Sequence, residues 1–255
     1  MIRSLYTGAS GIISGQRQID TISNNIANVN TAGFKESRTN FQDLFYANLQ
    51  QNKNLENPNR LSNLGIMIGH GVRPGSTTKN FTQGPLIGTD GPLDLAIQGN
   101  GYFGMNKDGQ MHLTRHGNFQ IDTNGVLTNS DGYPVMGNFV GNLSDFSNLS
   151  FSPEGILTGT NAQGEIQELG SITIFDVPNS GGLLAQGANL FVATENSGQP
   201  NIVGTNLKQG FLEGSNVNLA DQFSQMIINQ RALEASAKII HTADEMMSHA
   251  NNIRR

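Results

Sequence analysis

Cysteine is absent from all 255 residues, which removes disulfides, zinc–thiolate sites and a thiol nucleophile and leaves the redox compartment open. Tryptophan is absent too, and Asp, Glu, Lys and Arg together make up only 14% of the chain. The 15 basic residues are scattered, so the electrostatic footprint that neutralises a run of phosphates is missing and nucleic-acid binding is not expected. No apolar run approaches the ~18 residues of a membrane-spanning helix, so no membrane insertion is expected. The opening MIRSLYTGASGIISGQRQID lacks the uninterrupted apolar core and small-residue cleavage pattern of a secretory signal, and a soluble chain without that signal is the expectation.

What the chain does have is 31 glycines and many asparagines, the residues of turns that join short strands. From about Val72 to Gly214, short alternating apolar runs are separated by Asp90-Gly91, Asp108-Gly109, Asn124-Gly125, Asp131-Gly132 and Ser180-Gly181-Gly182. Such pairs fit tight hairpin turns, whose central positions need positive φ, and the block at 72–214 reads as an antiparallel β domain. Expected strands include 93–97, 101–105, 112–115, 118–122, 126–128, 172–177 and 190–194. Charge is uneven: residues 76–205 hold three basic and eleven acidic side chains, whereas the formal total for the chain is −5.

Both ends carry a different period. Leu5, Ile12, Ile19 and Ile26 recur every seven positions, with Ile22 and Val29 three further on, and this predicts a heptad helix over the first thirty residues. Gly8 and Gly15 occupy the equivalent offset, where each weakens an isolated helix by up to ~1 kcal/mol relative to Ala and permits close helix approach. Asn30 to Gly33 should end the helix. A second helix should open at Asn218, with Asp221 in its first turn; Leu219, Met226, Leu233, Ile240 and Met247 recur every seven residues, and Phe223 and Ala237 stand four residues on. Periodicity alone is met equally by helices laid on their own core and by helices that meet sister chains. Between the first helix and the β block, 34–71 reads as an extended connector, and its Asn- and Gln-rich part, 47–65, as an exposed loop. The whole is α+β: terminal helices from 1–33 and 215–255 forming a coiled-coil-like layer, and a central antiparallel β domain.

Catalytic and cofactor chemistry finds little support. His112 and His116 are four apart but flank an expected strand and turn, with no adjacent Glu to complete a zinc-protease motif, so no metal site is expected. The segment 69–75 puts Pro74 and Gly75 where a phosphate-binding helix would have to begin, and Gly99-Asn100-Gly101 lies between expected strands. No nucleophile-elbow sequence orders a Ser, His and Asp, and the turns at Asp122 and Asp131 lack the carboxylate density of a calcium loop. The expectation is a protein that is not an enzyme and holds no cofactor.

Several stretches carry a resemblance. Asn24-Asn25-Ile26-Ala27-Asn28-Val29-Asn30-Thr31-Ala32-Gly33-Phe34-Lys35 resembles the N-terminal signature of the flagellar rod and hook family, and MIRSLYTGASGI is similar to the segment before it. Residues 94–103, 114–119, 187–191 and 214–218 continue the resemblance in order, so it covers essentially the whole chain. The segment 65–86 looks most like distal-rod members, whereas GFLEGSNVN and the ending IIHTADEMMSHANNI look as close to proximal-rod members. The resemblance implies a structural subunit of a tubular axial structure of the basal body, exported without a cleaved signal through the flagellar type III apparatus. It implies sister copies and other rod and hook subunits as partners, peptidoglycan or the ring bushing as further contacts, and an extracytoplasmic destination. The residues expected to drive self-assembly are Leu5, Ile12, Ile19, Ile22 and Ile26 with Leu219, Phe223, Met226, Leu233, Ile240 and Met247, and the family motif centres on Asn24, Asn25, Ala27, Asn28, Gly33 and Phe34.

Overall fold

The computed structural model describes residues 2–48, 67–204 and 206–253, and the fold is α+β. The chain divides into two compact units, one drawing on the described parts of Met1–Ile26, Ser37–Thr78 and Leu219–Arg255, the other on Ala27–Glu36 and Lys79–Asn218. Of the stretch expected as an exposed loop, 47–65, residues from 49 onward lie outside the described residues.

The first unit is built on helices α1 (Ile2–Ala27) and α2 (Leu219–Ile253), roughly 40 and 50 Å long at 1.5 Å per residue. Asp221 sits in the first turn of α2, where a negative charge meets the positive end of the helix dipole. The two helices meet along glycines. A Cβ on Gly8 would stand 2.9 Å from Ile240 Cγ1, one on Gly11 3.1 Å from Ser236 Oγ, and one on Gly15 2.9 Å from Leu233 Cδ2. Numbers rise on one helix as they fall on the other, so the pair is antiparallel. Four strands accompany it: β1 (Ser37–Asp43), β2 (Tyr46–Asn48), β3 (Met67–Gly69) and β4 (Val72–Lys79), with β1 on β4 and an antiparallel pair of β2 and β3. Ser14 Oγ donates to the Val72 carbonyl at 3.2 Å, and Thr21 Oγ1 lies 2.8 Å from Thr39 Oγ1, so α1 is tied to both β1 and β4.

The second unit is all β. In chain order its strands are β5 (Leu86–Gly88), β6 (Leu95–Ile97), β7 (Tyr102–Lys107), β8 (Gln110–Thr114), β9 (Phe119–Ile121), β10 (Leu127–Asn129), β11 (Gly137–Phe139) and β12 (Ser147–Phe151). There follow β13 (Ile156–Thr160), β14 (Ile166–Ile172), β15 (Ile174–Asp176), β16 (Leu184–Gly187), β17 (Leu190–Val192), β18 (Asn201–Val203), β19 (Leu207–Gln209) and β20 (Phe211–Glu213). Six of them form an antiparallel sheet ordered β16-β17-β8-β7-β15-β18, and four form another ordered β11-β14-β13-β12. Three short pairs, β9/β10, β6/β19 and β5/β20, complete the unit.

Alternation along the strands explains the core. In the six-stranded sheet Phe103, Met105, Ile174 and Leu190 point to one face and Tyr102, Phe175 and Phe191 to the other. The first face joins Leu157, Leu169 and Ile172 of the four-stranded sheet, with Leu95, Ile97, Phe119, Leu127 and Leu207, in one cluster. The second face holds Leu113 and Val177, and Phe81 packs edge-on against Tyr102 and Phe191. The hairpin between β7 and β8 turns at Asp108 and Gly109, both with positive φ, as an Asp-Gly pair requires. The expected single strand at 172–177 is corrected: Ile172 pairs with Gly137 in one sheet and Ile174 with Phe103 in the other, and the chain changes sheets at Thr173.

Candidate functional site

Among the described residues no group of three His, Cys, Asp or Glu side chains converges as a metal site would. His112 is buried in β8 with Nδ1 at 3.1 Å from the Gln110 carbonyl and Nε2 at 2.9 Å from Gln186 Oε1, so both ring nitrogens already face oxygens. His116, after the strand, has its pKa lowered by burial, against the opposing pull of Asp131 and Asp94.

In the first unit, the inward face of α2 consists of Gln222, Met226, Asn229, Leu233, Ser236, Ile240, Ala243 and Met247, alternating four and three residues apart. Met226, Leu233, Ile240 and Met247 thus share one face, with Leu233 and Ile240 against the α1 glycines. Leu219, seven residues before Met226, opens that series at the helix start but is 39% exposed, and Phe223 is 50% exposed. On α1, Ile22 is buried and Leu5, Ile12, Ile19 and Ile26 are half-buried. The motif residue Asn25 is 1% exposed and its amide makes three hydrogen bonds. Nδ2 donates to the Ser37 carbonyl at 2.8 Å and to Gln222 Oε1 at 3.1 Å, while Oδ1 accepts the Ser37 N–H at 2.9 Å. Asn25 therefore joins α1, β1 and α2. Asn24 and Ala27 are exposed.

In the second unit, the rest of the motif forms a clasp. After α1 ends, Thr31 N–H donates to the Asn28 carbonyl and Thr31 Oγ1 to Asn28 Oδ1, closing a turn. Gly33 has φ +70°, and a Cβ there would stand 2.7 Å from His116 N and 2.9 Å from the Arg115 carbonyl carbon, so both backbone angle and space call for glycine. Gly33 N–H donates to the Glu213 carbonyl at 2.7 Å, and Asn189 Nδ2 donates to the Ala32 carbonyl at 3.1 Å. Phe34 is buried under the Lys79 ammonium, 5.1 Å from the ring centroid.

Lys35, 1% exposed, pairs with Glu213 and donates to the Thr82 carbonyl at 2.8 Å. Arg115 pairs with the other oxygen of Glu213 at 3.2 Å and lies 5.2 Å from the centre of the Tyr102 ring. Gly84 N–H adds a third donor to Glu213 at 3.0 Å. Burial lowers the pKa of Lys35, with the Glu213 pair opposing it, and burial raises that of Tyr102. Asn216 ties the strands further, accepting from Glu36 N–H at 2.8 Å and donating to the Asn80 and Thr82 carbonyls at 2.8 and 3.1 Å. The arrangement offers no nucleophile poised beside a base; it is a structural junction where 31–36, 79–85 and 213–217 are held together. Sequence reading singled out Gly33 and Phe34 but not Lys35, Arg115 and Glu213 as a set. A local signal exists for two of the three, a charge set directly beside large apolar residues in Phe34-Lys35 and Phe211-Leu212-Glu213.

Three family profiles match the chain in order. "Flagella basal body rod protein" matches residues 5–35, "Flagellar hook protein FlgE/F/G D1 domain" residues 96–174, and "Flagellar basal body rod FlgEFG protein C-terminal" residues 208–253. The flagellar basal-body rod protein FlgG of Borreliella burgdorferi is 40% identical over 264 aligned positions, covering 100% of both chains. The chain belongs to the flagellar basal-body rod family. FlgG of Bacillus subtilis is 38% identical with 100% coverage of both chains, and the rod protein FlgF of Caulobacter vibrioides is 32% identical, with 98% of this chain and 97% of its own length covered. The three charges that meet in the buried cluster of this rod-family member come one from each matched segment: Lys35, Arg115 and Glu213.

Proposed function

We propose that this rod-family chain is a structural subunit of the flagellar basal-body rod, of the distal, FlgG type, which polymerises through its terminal helices into a tubular layer that transmits torque. The observation that carries the reading is apolar surface left over after α1 and α2 have met. Ile239, Met246 and Ile253 recur every seven residues on the outer side of α2 at 49%, 50% and 86% exposure, and Ile227 and Ile228 stand at 59% and 66%. On α1, Tyr6 and Ile13, seven apart, are 70% and 57% exposed. Fully covering one such side chain contributes about 1.5–3 kcal/mol, so stripes of them favour docking of further helices.

Sister copies are the occupants this reading assigns, with Leu5, Ile12, Ile19, Ile22 and Ile26 and the α2 set from Leu219 to Met247 holding the helical layer. Export through the flagellar type III apparatus, an extracytoplasmic site in the basal body, and contacts with other rod and hook subunits follow from the same reading. Contacts with peptidoglycan or the ring bushing would fall to the β unit. The role is architectural rather than catalytic. Deleting residues 1–30 or 218–255 should abolish rod formation in cells, and unimpaired rods would refute the reading. Locating a tagged copy in isolated basal bodies separates distal rod from proximal rod and hook, the rival assignments that the FlgF relative keeps in view.

A further inference from the structure

We infer that Glu213 is a shared counter-ion that makes the docking of two separate connectors interdependent: 28–36, which follows α1, and 213–217, which leads to α2. Both connectors and all three charges lie within the β unit. Two cations and one carboxylate meet at 1% exposure for Lys35, 4% for Arg115 and 1% for Glu213. The cluster therefore carries a surplus positive charge away from water, and the carboxylate is divided: one oxygen for Lys35 and Gly84 N–H, the other for Arg115. Arg115 Nε has no hydrogen-bond partner among the described residues, so the guanidinium leans on Glu213 and the Tyr102 face.

An uneven count gives the cluster a direction. Removing either cation leaves a balanced pair, whereas removing the carboxylate leaves two buried cations facing each other without an anion. The Lys35 side chain can then stay buried only by losing its proton or leaving, and it belongs to the connector after α1. Glu213 ends β20, so loss of that strand from its place exposes the Lys35 segment as well. A rival explanation exists in the backbone: Gly33 N–H on the Glu213 carbonyl, Gly214 N–H on the Pro85 carbonyl, and the Asn216 amide bonds would hold the same segments without any charge.

Hydrogen exchange on the full-length protein separates the two. In Glu213→Gln, amides in 28–36 and 213–217 should exchange at least tenfold faster, and together, while β7 and β8 keep their protection. Lys35→Met and Arg115→Met should each leave 28–36 within about threefold of wild type. The apolar triple variant Lys35→Met/Arg115→Met/Glu213→Leu should restore the protection that Glu213→Gln loses, because no buried charge is left unbalanced. Unchanged protection of 28–36 in Glu213→Gln, or loosening by Lys35→Met equal to that by Glu213→Gln, overturns the inference. Should Glu213→Gln fail to fold, a folded triple variant supports the inference, and a triple variant that also fails overturns it in favour of shape.

Discussion

Asn25 spends its amide on two neighbouring elements, two bonds to Ser37 of β1 and one to Gln222 of α2. Replacing it with Leu leaves the Ser37 N–H and the buried Gln222 amide without that partner, and unfolding in denaturant should register a loss of about 2–3 kcal/mol. Gly33→Ala adds a Cβ at φ +70° against the His116 backbone, where nothing flexible can yield. Strain and collision together should cost at least ~2 kcal/mol by the same measurement. His116 gives a pH test. Its folded pKa lies below the ordinary 6.5, so as pH falls through 6.5 the unfolded chain takes up a proton that the native state resists. Stability should therefore decline with falling pH from about 6.5 down to the folded pKa, and His116→Gln should flatten that slope in melts between about pH 5 and 7.

The helices were plain in the sequence because long elements repeat their pattern many times. The seven-residue recurrence of Leu233, Ile240 and Met247 survives as an inward stripe, and Gly8 and Gly15 lie where the helices approach. What the pattern misses is that the alternate inward positions of α2 are Gln222, Asn229, Ser236 and Ala243, residues a hydrophobic period does not register, while Phe223 stands 50% exposed. The hairpins at Asp108-Gly109 and after β9 were legible from turn chemistry. Strands β11 to β14 were not: their exposed, small and polar residues, as in Gly137–Phe139 and Ser147–Phe151, leave little alternation to read. Nor could sequence place Lys35, Arg115 and Glu213 together, since the partners are up to 178 positions apart. One substitution tests the helix contact by sign. Gly15→Leu raises intrinsic helix propensity, yet its side chain would drive into Leu233. Circular dichroism and melting should show lower helix content and stability, not higher.

At the scale of the whole chain, charge opposes what apolar surface favours. The formal charge is −5, and in the β unit nine carboxylates are exposed while each of its five cations is engaged, Lys35 and Arg115 on Glu213 and Lys79, Lys107 and Lys208 over aromatic rings. Copies brought side by side repel one another until salt shortens the reach of that field to about 8 Å at physiological ionic strength. Light scattering of the purified protein should show association strengthening from about 10 to 150 mM salt, and Ile239→Asp/Met246→Asp should abolish it while leaving the monomer's melting intact. A Cβ on Gly11 would lie 3.8 Å from Ser236 Cβ, inside the span that a disulfide bridges. Because the chain brings no thiol of its own, a cysteine pair at these two sites becomes a removable rivet, closed by oxidant and opened by reductant, that reports in a single gel whether the two ends of the polypeptide ever come apart.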